Sequence, residues 1–343
     1  MSARNLPARS GPAVSGVNGP GWWIRGGHLQ TTWAHLVRSR RVVRFEREVL
    51  STPDGDDLVL DHVPGPPGSP RVLLLHGLEG SAYSFHAQGL ARLIARAGWR
   101  ATVLNFRSCA RDPAHVARCL PNRRPRLYHS GDTADLDLVV RTLDAREPGV
   151  PLHAIGFSLG GNVLLKWLGE TGSDTIIGRA ATISVPYDLA AAGRFLERPA
   201  GRVYVSHFMR RLKPKALDML RRFPVETAHL DVRRIHAART LRDFDECVTV
   251  PLHGFASADD YYARSSALAF LPCIRVPTLC ISSIDDPLYP EAALSRARAA
   301  ASSSLTFTVT PWGGHVGFVS GLWPWRPVYW AEEQAVDWLA QKG

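Results

Sequence analysis

The feature that most constrains the fold of this chain is the pentapeptide 156–160, Gly-Phe-Ser-Leu-Gly, together with its surroundings. An apolar run, 150–155, leads into it with the composition of a buried strand, and the run 159–169 that follows has a helical pattern. A serine on so tight a strand-to-helix turn is held in a strained backbone conformation with its hydroxyl projecting, and the two glycines let neighbouring backbone approach. We interpret Ser158 as a candidate nucleophile.

The order of acidic and basic groups further along the chain supports this interpretation. An apolar run, 277–283, is followed by Asp285 and Asp286, and a β-branched run, 305–310, is followed by His315. The candidate groups occur in the order serine, aspartate, histidine, each after a predicted strand. An α/β-hydrolase presents its catalytic groups in the same order. We therefore predict that these side chains meet at the carboxyl edge of one sheet.

A glycine-containing turn also precedes the serine. The run 71–75 has the composition of a buried strand and is followed by His76, Gly77 and Leu78. The glycine lets a backbone N–H point at a carbonyl oxygen that gains negative charge during nucleophilic attack. We predict an oxyanion hole formed by the N–H groups of Leu78 and Leu159, with His76 supporting the loop through hydrogen bonds.

Strand-like and helix-like segments alternate along most of the chain. The segments 48–50 and 58–63 flank a Pro-Asp-Gly turn and predict an antiparallel lead-in. Further strands then alternate with amphipathic helical segments at 85–97 and 132–144. This alternation predicts an α/β fold with a mostly parallel central sheet and helices on both faces, closed by a helix that begins near Pro327.

Composition argues against several classes of protein. The five Cys form no C-x-x-C pair and have no histidines at ligand spacing, which argues against a disulfide framework and against structural zinc. Residues 1–20 are rich in Ser, Gly and Pro and predict a disordered tail, neither a signal peptide nor a membrane span. We predict a cytoplasmic protein with no metal or organic cofactor, and with no nucleic-acid partner, because no reading motif accompanies its basic charge.

Six blocks of sequence occur in one order along the chain: Gly27-His28-Leu29-Gln30-Thr31, Leu75-His76-Gly77-Leu78-Glu79-Gly80, Asn105-Phe106-Arg107, Tyr128-His129-Ser130-Gly131-Asp132, Gly-Phe-Ser-Leu-Gly-Gly-Asn around Ser158, and Asp285-Asp286-Pro287. Together they resemble the YheT-like α/β-hydrolases, a group that includes the animal ABHD1, ABHD2 and ABHD3 lipases. The resemblance implies one α/β-hydrolase domain over 21–343 with serine esterase chemistry on acyl esters, including lipid esters in the animal relatives. It departs after Arg107, where the family has Gly and a short loop, and this chain has Ser108 and a longer basic stretch, 109–126.

The chemistry of an ester predicts the role of each candidate residue. Free serine is a poor nucleophile, so His315 accepts the proton of Ser158 and later gives it to the leaving alcohol, while a carboxylate orients the imidazole. We assign that carboxylate to Asp286 rather than Asp285, because a hydrophobic residue and proline follow Asp286 in the expected loop pattern. Water then hydrolyses the acyl-enzyme.

Between about 187 and 270 the alternation fails, and we predict an inserted lid over the active site. Within it, residues 193–242 carry 13 Lys and Arg against 4 Asp and Glu, nearly all of the +10 net charge of the chain. We expect this charge around the substrate entrance. Two interpretations remain open: a solvated basic face, or attraction to an anionic membrane surface or to anionic esters.

Two other functions also remain open. An acyltransferase of the same fold would pass the acyl group from Ser158 to an acceptor other than water. A non-catalytic binding protein would keep the fold without catalysing the reaction. Such proteins usually lack the serine, the histidine or the elbow glycines, and this chain has all of them.

Aromatic residues cluster after the last predicted strand. Most of these tryptophans fit packing of a helix on the core, and Trp323 and Trp325 are candidates for an acyl pocket beside His315. His28 and Gln30 belong to a family block but have no role that the sequence yields beyond packing.

Overall fold

A twisted sheet of eight strands forms the centre of the computed structural model, which describes residues 19–38 and 43–341. Its strands, in chain order, are β1 (Glu46–Ser51), β2 (Asp57–Val63), β3 (Arg71–Leu75), β4 (Arg100–Asn105), β5 (Leu152–Phe157), β6 (Arg179–Ile183), β7 (Thr278–Ser283) and β8 (Leu305–Thr310). Their spatial order is β1-β2-β4-β3-β5-β6-β7-β8. The pairs β1–β2 and β2–β4 are antiparallel, and all pairs from β4 to β8 are parallel.

Helices cover both faces of this sheet. They are α2 (Phe85–Arg96), α3 (Ala134–Arg146), α4 (Leu159–Thr171), α11 (Glu291–Ala299) and α12 (Trp330–Ala340), and a further helix, α1 (Gly27–Val37), precedes the first strand. Side chains of α3, α4 and α11 share one apolar cluster with strand residues such as Leu73, whereas α2 and α12 share another with residues such as Leu74. Neighbouring residues of one strand point to opposite faces, so Leu73 and Leu74 each help to build a different half of the core.

The predicted fold class is confirmed, with a change at the C-terminus. The sheet is mostly parallel, with the antiparallel lead-in at β1 and β2. The last helix, predicted from Pro327, begins three residues later, at Trp330. The two residues before it form β10 (Val328–Tyr329), which pairs with β9 (Val319–Ser320). This backbone pairing holds the chain extended where proline alone suggests a helix start.

The alternation of strands and helices is interrupted between β6 and β7. The chain there forms α5 (Leu189–Leu196), α6 (Gly201–Arg222), α7 (Val232–Ala237), α8 (Leu241–Phe244), a π-helix (Asp245–Thr249), α9 (Val250–His253) and α10 (Ala258–Ser265). Apolar side chains of α5 to α8 form a cluster of their own, which also includes Leu127 and Leu288 from loops of the core. The insertion therefore packs on the loops that follow the strands.

The two ends of the described chain are joined by a buried ion pair. Arg38, just after α1, binds both carboxylate oxygens of Glu332 on α12 at 2.6 and 2.7 Å, and it stacks on the ring of Tyr329 at 3.7 Å. Such a bidentate pair is directional as well as attractive, so it fixes α1 against α12. The predicted disordered tail falls largely on residues 1–18, which lie outside the described residues.

Candidate active site

Ser158 lies in the tight turn between β5 and α4. Its backbone has φ 48° and ψ −119°, a conformation that costs a non-glycine residue about 1–3 kcal/mol. The flanking glycines make the turn possible: a Cβ on Gly160 would lie 2.5 Å from the carbonyl oxygens of Leu75 and His76, and one on Gly156 would lie 2.6 Å from Gly161 Cα. The predicted turn is therefore present, and it directs the serine side chain away from the sheet.

His315 contacts both other members of the predicted group. Its Nε2 lies 2.8 Å from Ser158 Oγ, and its Nδ1 lies 2.9 Å from Asp286 Oδ2. The other carboxylate oxygen of Asp286 accepts a hydrogen bond of 2.8 Å from the N–H of Leu288. His315 and Asp286 are both buried, so water competes little for these bonds.

The neighbouring Asp285 faces elsewhere. Its Oδ1 accepts a hydrogen bond of 2.8 Å from the N–H of Gly314, in the loop that carries His315. In the same loop, the N–H of Val316 donates to Ser184 Oγ at 2.9 Å. The two adjacent aspartates thus act on different parts of one loop, one on the ring of His315 and one on its backbone.

The predicted oxyanion donors border the space in front of Ser158. Leu159 is the first residue of α4, so its N–H belongs to the first turn, where backbone donors have no partner within the helix. Leu78 follows Gly77, and a Cβ on Gly77 would lie only 3.4 Å from Ser158 Cβ. Both leucines line a cavity that also contains Ser158, so both backbone segments lie at its edge.

His76 is buried beneath this loop. One ring nitrogen, Nε2, accepts a hydrogen bond of 3.1 Å from the N–H of Phe106, and Nδ1 donates to the carbonyl of Gly77 at 2.8 Å. Burial lowers the pKa of His76 to about 3, so the ring is neutral at physiological pH. These bonds give His76 the supporting position that the sequence predicts.

The block Gly27 to Thr31, which begins α1, has a role that sequence reasoning missed. Thr31 Oγ1 accepts a hydrogen bond of 2.8 Å from the N–H of His315. Gln30 is fully buried and clamps Val319, accepting from its N–H at 2.6 Å and donating to its carbonyl at 2.9 Å. The helix therefore positions the histidine loop. Only the family resemblance marked this block, because its partners lie almost 290 residues away in the chain.

Two spaces of different size meet at Ser158 and His315. The first is an open groove of about 1070 Å³ between the loop 108–127, α1 and α6. The second is a small pocket of about 130 Å³ between the core and the insertion, lined by α5, α6 and the π-helix. We refer to them as the groove and the small pocket. Together they give the serine hydroxyl access to both solvent and an apolar cavity.

The expectation that Trp323 and Trp325 line an acyl pocket is wrong. Their rings stack on each other with centroids 5.2 Å apart, and both side chains are exposed. Neither is among the described residues that line the two spaces. They follow β9 and point outward, whereas Trp312 and Trp330 pack on the core.

The region 109–126 forms part of the groove wall, and His129 makes local contacts. Arg111 and Cys119 form an isolated antiparallel bridge that closes this longer loop on itself. His129 Nδ1 accepts a hydrogen bond from the N–H of Gly131 at 3.1 Å, just before α3. In the described ranges, 19–38 and 43–341, no three His, Cys, Asp or Glu side chains form a group that could hold a metal ion.

The sequence matches a known family over most of its length. The family described as alpha/beta hydrolase fold matches residues 70–322. The chain is 35% identical over 317 residues to the putative esterase YheT of Escherichia coli, a match that covers 91% of this chain and 89% of that protein. It is 28% identical over 326 residues to human phospholipase ABHD3, covering 93% of this chain and 77% of the phospholipase.

Solved structures show the same fold at lower identity. The Pyrococcus furiosus esterase Pf2001 has a TM-score of 0.52 at 18% identity, over 82% of this chain and 87% of that chain. A bacterial membrane phospholipase A also has a TM-score of 0.52, at 15% identity, over 91% of each chain. At these identities the likeness concerns the arrangement of the sheet and its helices.

Proposed function

The chain belongs to the alpha/beta hydrolase fold family, in the group that includes YheT and ABHD3, and from that premise we propose that it is a serine hydrolase of carboxylic esters. The observation that carries the proposal is the continuous set of hydrogen bonds from Ser158 through His315 to Asp286. Its relatives include a putative esterase, phospholipases and a monoacylglycerol lipase, so lipid esters are included in the proposed substrate class.

The first step is the attack of Ser158 on the ester carbonyl. In the reactive state Nδ1–H of His315 donates to Asp286, which leaves the Nε2 lone pair facing the serine hydroxyl. As Oγ bonds to the carbonyl carbon, its proton passes to Nε2, and the imidazolium that forms is stabilised by the carboxylate. His315 then gives this proton to the leaving alcohol as the carbon–oxygen bond of the ester breaks.

The second step returns the enzyme to its starting state. An acyl-enzyme remains on Ser158, and His315 takes a proton from water as the water oxygen attacks the acyl carbon. In both steps the carbonyl oxygen carries negative charge, which the N–H groups of Leu78 and Leu159 stabilise; one such donor is typically worth about 2.7–4 kcal/mol. The bond between Ser158 Oγ and the acyl carbon then breaks, His315 returns its proton to Oγ, and the carboxylic acid leaves.

The insertion over about 187–270 serves as the lid of this site. Support for this assignment comes from Tyr204 and Phe208 of α6, which line the groove, and from Leu196 of α5, which lines the small pocket. His28 Nδ1 lies 2.8 Å from the hydroxyl of Tyr204, so α6 is also tied to the α1 block. A substrate must therefore pass between the insertion and the core.

A fluorophosphonate probe tests the nucleophile directly. We expect covalent labelling of the wild-type protein and none of Ser158→Ala, while Ser302→Ala, which changes a serine on the turn before β8, is labelled normally. Hydrolysis of p-nitrophenyl butyrate should fall by about 10⁴-fold or more in Ser158→Ala. A wild-type protein that is folded but not labelled would favour the non-catalytic binding protein.

Product analysis separates hydrolysis from acyl transfer. With a short-chain ester and excess glycerol or ethanol, a hydrolase releases one carboxylic acid per ester consumed. An acyltransferase would convert the ester to the ester of the added alcohol instead. Dominant transfer at low alcohol concentration would overturn the assignment of water as the acceptor.

A further inference from the structure

The groove and the small pocket meet at Ser158, so an ester that reacts there can place one half in each space. Both spaces share the lining residues Leu78, Ser158, Phe208, Leu288 and His315. Their sizes differ about eightfold, about 1070 Å³ for the groove and about 130 Å³ for the small pocket. One half of a substrate therefore has much less space available than the other half.

Charge distinguishes the two spaces as clearly as size does. Among the described residues that line the groove, seven are basic and two are acidic: Arg111, Arg124, Arg126, Arg210, Arg211, Lys215 and Arg222 against Glu79 and Asp218. Some of these charges are already paired, as Lys215 is with Glu79 at 2.6 Å. Even so, the net positive charge of the wall favours a group that carries negative charge.

The small pocket is lined mainly by hydrocarbon. Its apolar side chains include Leu189, Leu196, Leu212, Leu241 and Phe244. A protein cavity of about 150 Å³ lined by such residues holds benzene, which has six carbon atoms. By that measure the small pocket holds a linear chain of about six carbons, and a longer chain has to displace the packed side chains of α5 and α6.

The order in which the products leave indicates which space holds the acyl chain and which holds the alcohol portion. The acyl group stays on Ser158 through the second step, whereas the alcohol has to leave and water has to enter before deacylation. The groove opens to solvent past the exposed side chains of Val116, Val203 and Arg210, so it provides the path for both. The small pocket is left for the acyl chain.

On the basis of the proposed function, we propose that the substrates are esters of short acyl chains, up to about six carbons, with an alcohol portion that carries negative charge. The acyl chain lies in the small pocket, and the basic wall of the groove binds the anionic alcohol portion. Leu212 limits the length of the chain, and Arg210 and Arg211 contribute to recognition of the charge.

A series of p-nitrophenyl esters from acetate to decanoate tests the acyl limit. We expect kcat/KM to peak at or below hexanoate and to fall at least about tenfold by decanoate. Leu212→Ala should move this peak to longer chains by roughly three carbons, the number of carbon atoms removed, and Ala192→Val should move it to shorter chains. Leu220→Ala is the matched control, because Leu220 packs in the same cluster but lines neither space.

A pair of butyrate esters that differ only in charge tests the groove. The probes are 4-sulfophenyl butyrate, which is anionic, and 4-sulfamoylphenyl butyrate, which is neutral. Arg210→Gln/Arg211→Gln should lower the anionic-to-neutral ratio of kcat/KM about fivefold. Arg198→Gln/Arg202→Gln, which removes the same charge at and just before the start of α6, outside the groove, should leave the ratio unchanged.

The outcomes separate this proposal from the proposed function. A wild-type kcat/KM that rises through decanoate, or equal shifts in Leu212→Ala and Leu220→Ala, would overturn the acyl limit. Equal ratios in the two arginine variants would overturn the recognition of charge. In each of these cases cleavage that depends on Ser158 still supports an esterase, whereas wild-type rates no higher than those of Ser158→Ala would overturn both.

Discussion

Asp285 and Asp286 are adjacent in the chain, yet their carboxylates bind different groups. Asp286 contacts the imidazole of His315, and Asp285 contacts the backbone N–H of Gly314. Each carboxylate accepts a hydrogen bond in a buried or half-buried site. Replacing either one therefore changes an interaction with a known partner. Substitution by asparagine, which keeps the size of the side chain, distinguishes their contributions.

We expect Asp286→Asn to lower kcat for ester hydrolysis by about 10⁴-fold, because an amide can donate to Nδ1 and so favour the wrong tautomer of His315. Asp285→Asn is the matched control and should stay within about tenfold of the wild type, since its amide oxygen can still accept from Gly314. Steady-state kinetics on one short-chain ester compares the two. Equal losses in the two variants would contradict the assignment of Asp286.

Gly160 shows how the elbow depends on the absence of a side chain. Its position at the start of α4 brings its Cα against the carbonyl groups of Leu75 and His76, which are backbone atoms and cannot rotate away. We expect Gly160→Ala to lower the free energy of unfolding by about 3 kcal/mol, the upper end for overpacking. Chemical denaturation should show a loss below about 1 kcal/mol in Gly178→Ala, whose added Cβ would lie 3.4 Å from the ring of His153 and 3.9 Å from the carbonyl oxygen of Leu152, which are ordinary van der Waals contacts.

The π-helix of the insertion carries a carboxyl group with an unusual environment. Asp245 accepts hydrogen bonds of 2.7 Å from Tyr262 and Thr249 and lines the small pocket. Burial raises its pKa to about 6 despite these bonds. Compared with the unfolded chain, the folded protein favours the neutral form of Asp245, and this contribution to stability is lost as the pH rises from about 4 to about 6.

Asp245→Asn removes this titration. We expect the free energy of unfolding of the wild type, minus that of the variant, to fall by about 3 kcal/mol between pH 4 and pH 7, which corresponds to about two pKa units. Urea denaturation at unit pH intervals measures the difference, in which the titration of all other groups largely cancels. A difference that does not change with pH would contradict the raised pKa of Asp245.

At the scale of the whole molecule, exposed apolar and basic residues surround one opening. Leu36, Val116 and Val203 are among the exposed apolar side chains, and all three line the groove beside Arg210 and Arg211. Within the described residues no helix is long and apolar enough to cross a membrane. The combination of bases and apolar side chains at an entrance favours the open interpretation in which this face is attracted to an anionic lipid surface.

Vesicle co-sedimentation tests that contact. We expect binding to phosphatidylserine-containing vesicles at 50 mM NaCl, weaker binding at 500 mM, and little to pure phosphatidylcholine, because each base near the surface contributes about 1 kcal/mol. Leu36→Ser/Val203→Ser should weaken binding. Val225→Ser, a change of an equally exposed valine outside the groove, should not. Equal binding to neutral and anionic vesicles would contradict attraction of this face to anionic lipid.

Much of the fold could be predicted because the determinants are local. The limits of β3 and β8 match the predicted segments, since a run of β-branched and apolar residues is sufficient to identify a strand. The elbow followed from two glycines beside Ser158. Thr31 could not be assigned in this way, because a threonine that accepts from a backbone 284 residues away has no local signature.

The sequence by itself determined the order of strands and helices, the turn that presents Ser158, and the order in which the serine, the aspartates and the histidine follow one another. These depend on periodicity and on the backbone freedom of glycine, which short stretches of chain contain. Only the tertiary structure decided that a small apolar pocket and a basic groove meet at the serine. Those features arise where α5, α6 and loops of the core pack together, and the volume left between them depends on contacts between segments distant in the chain.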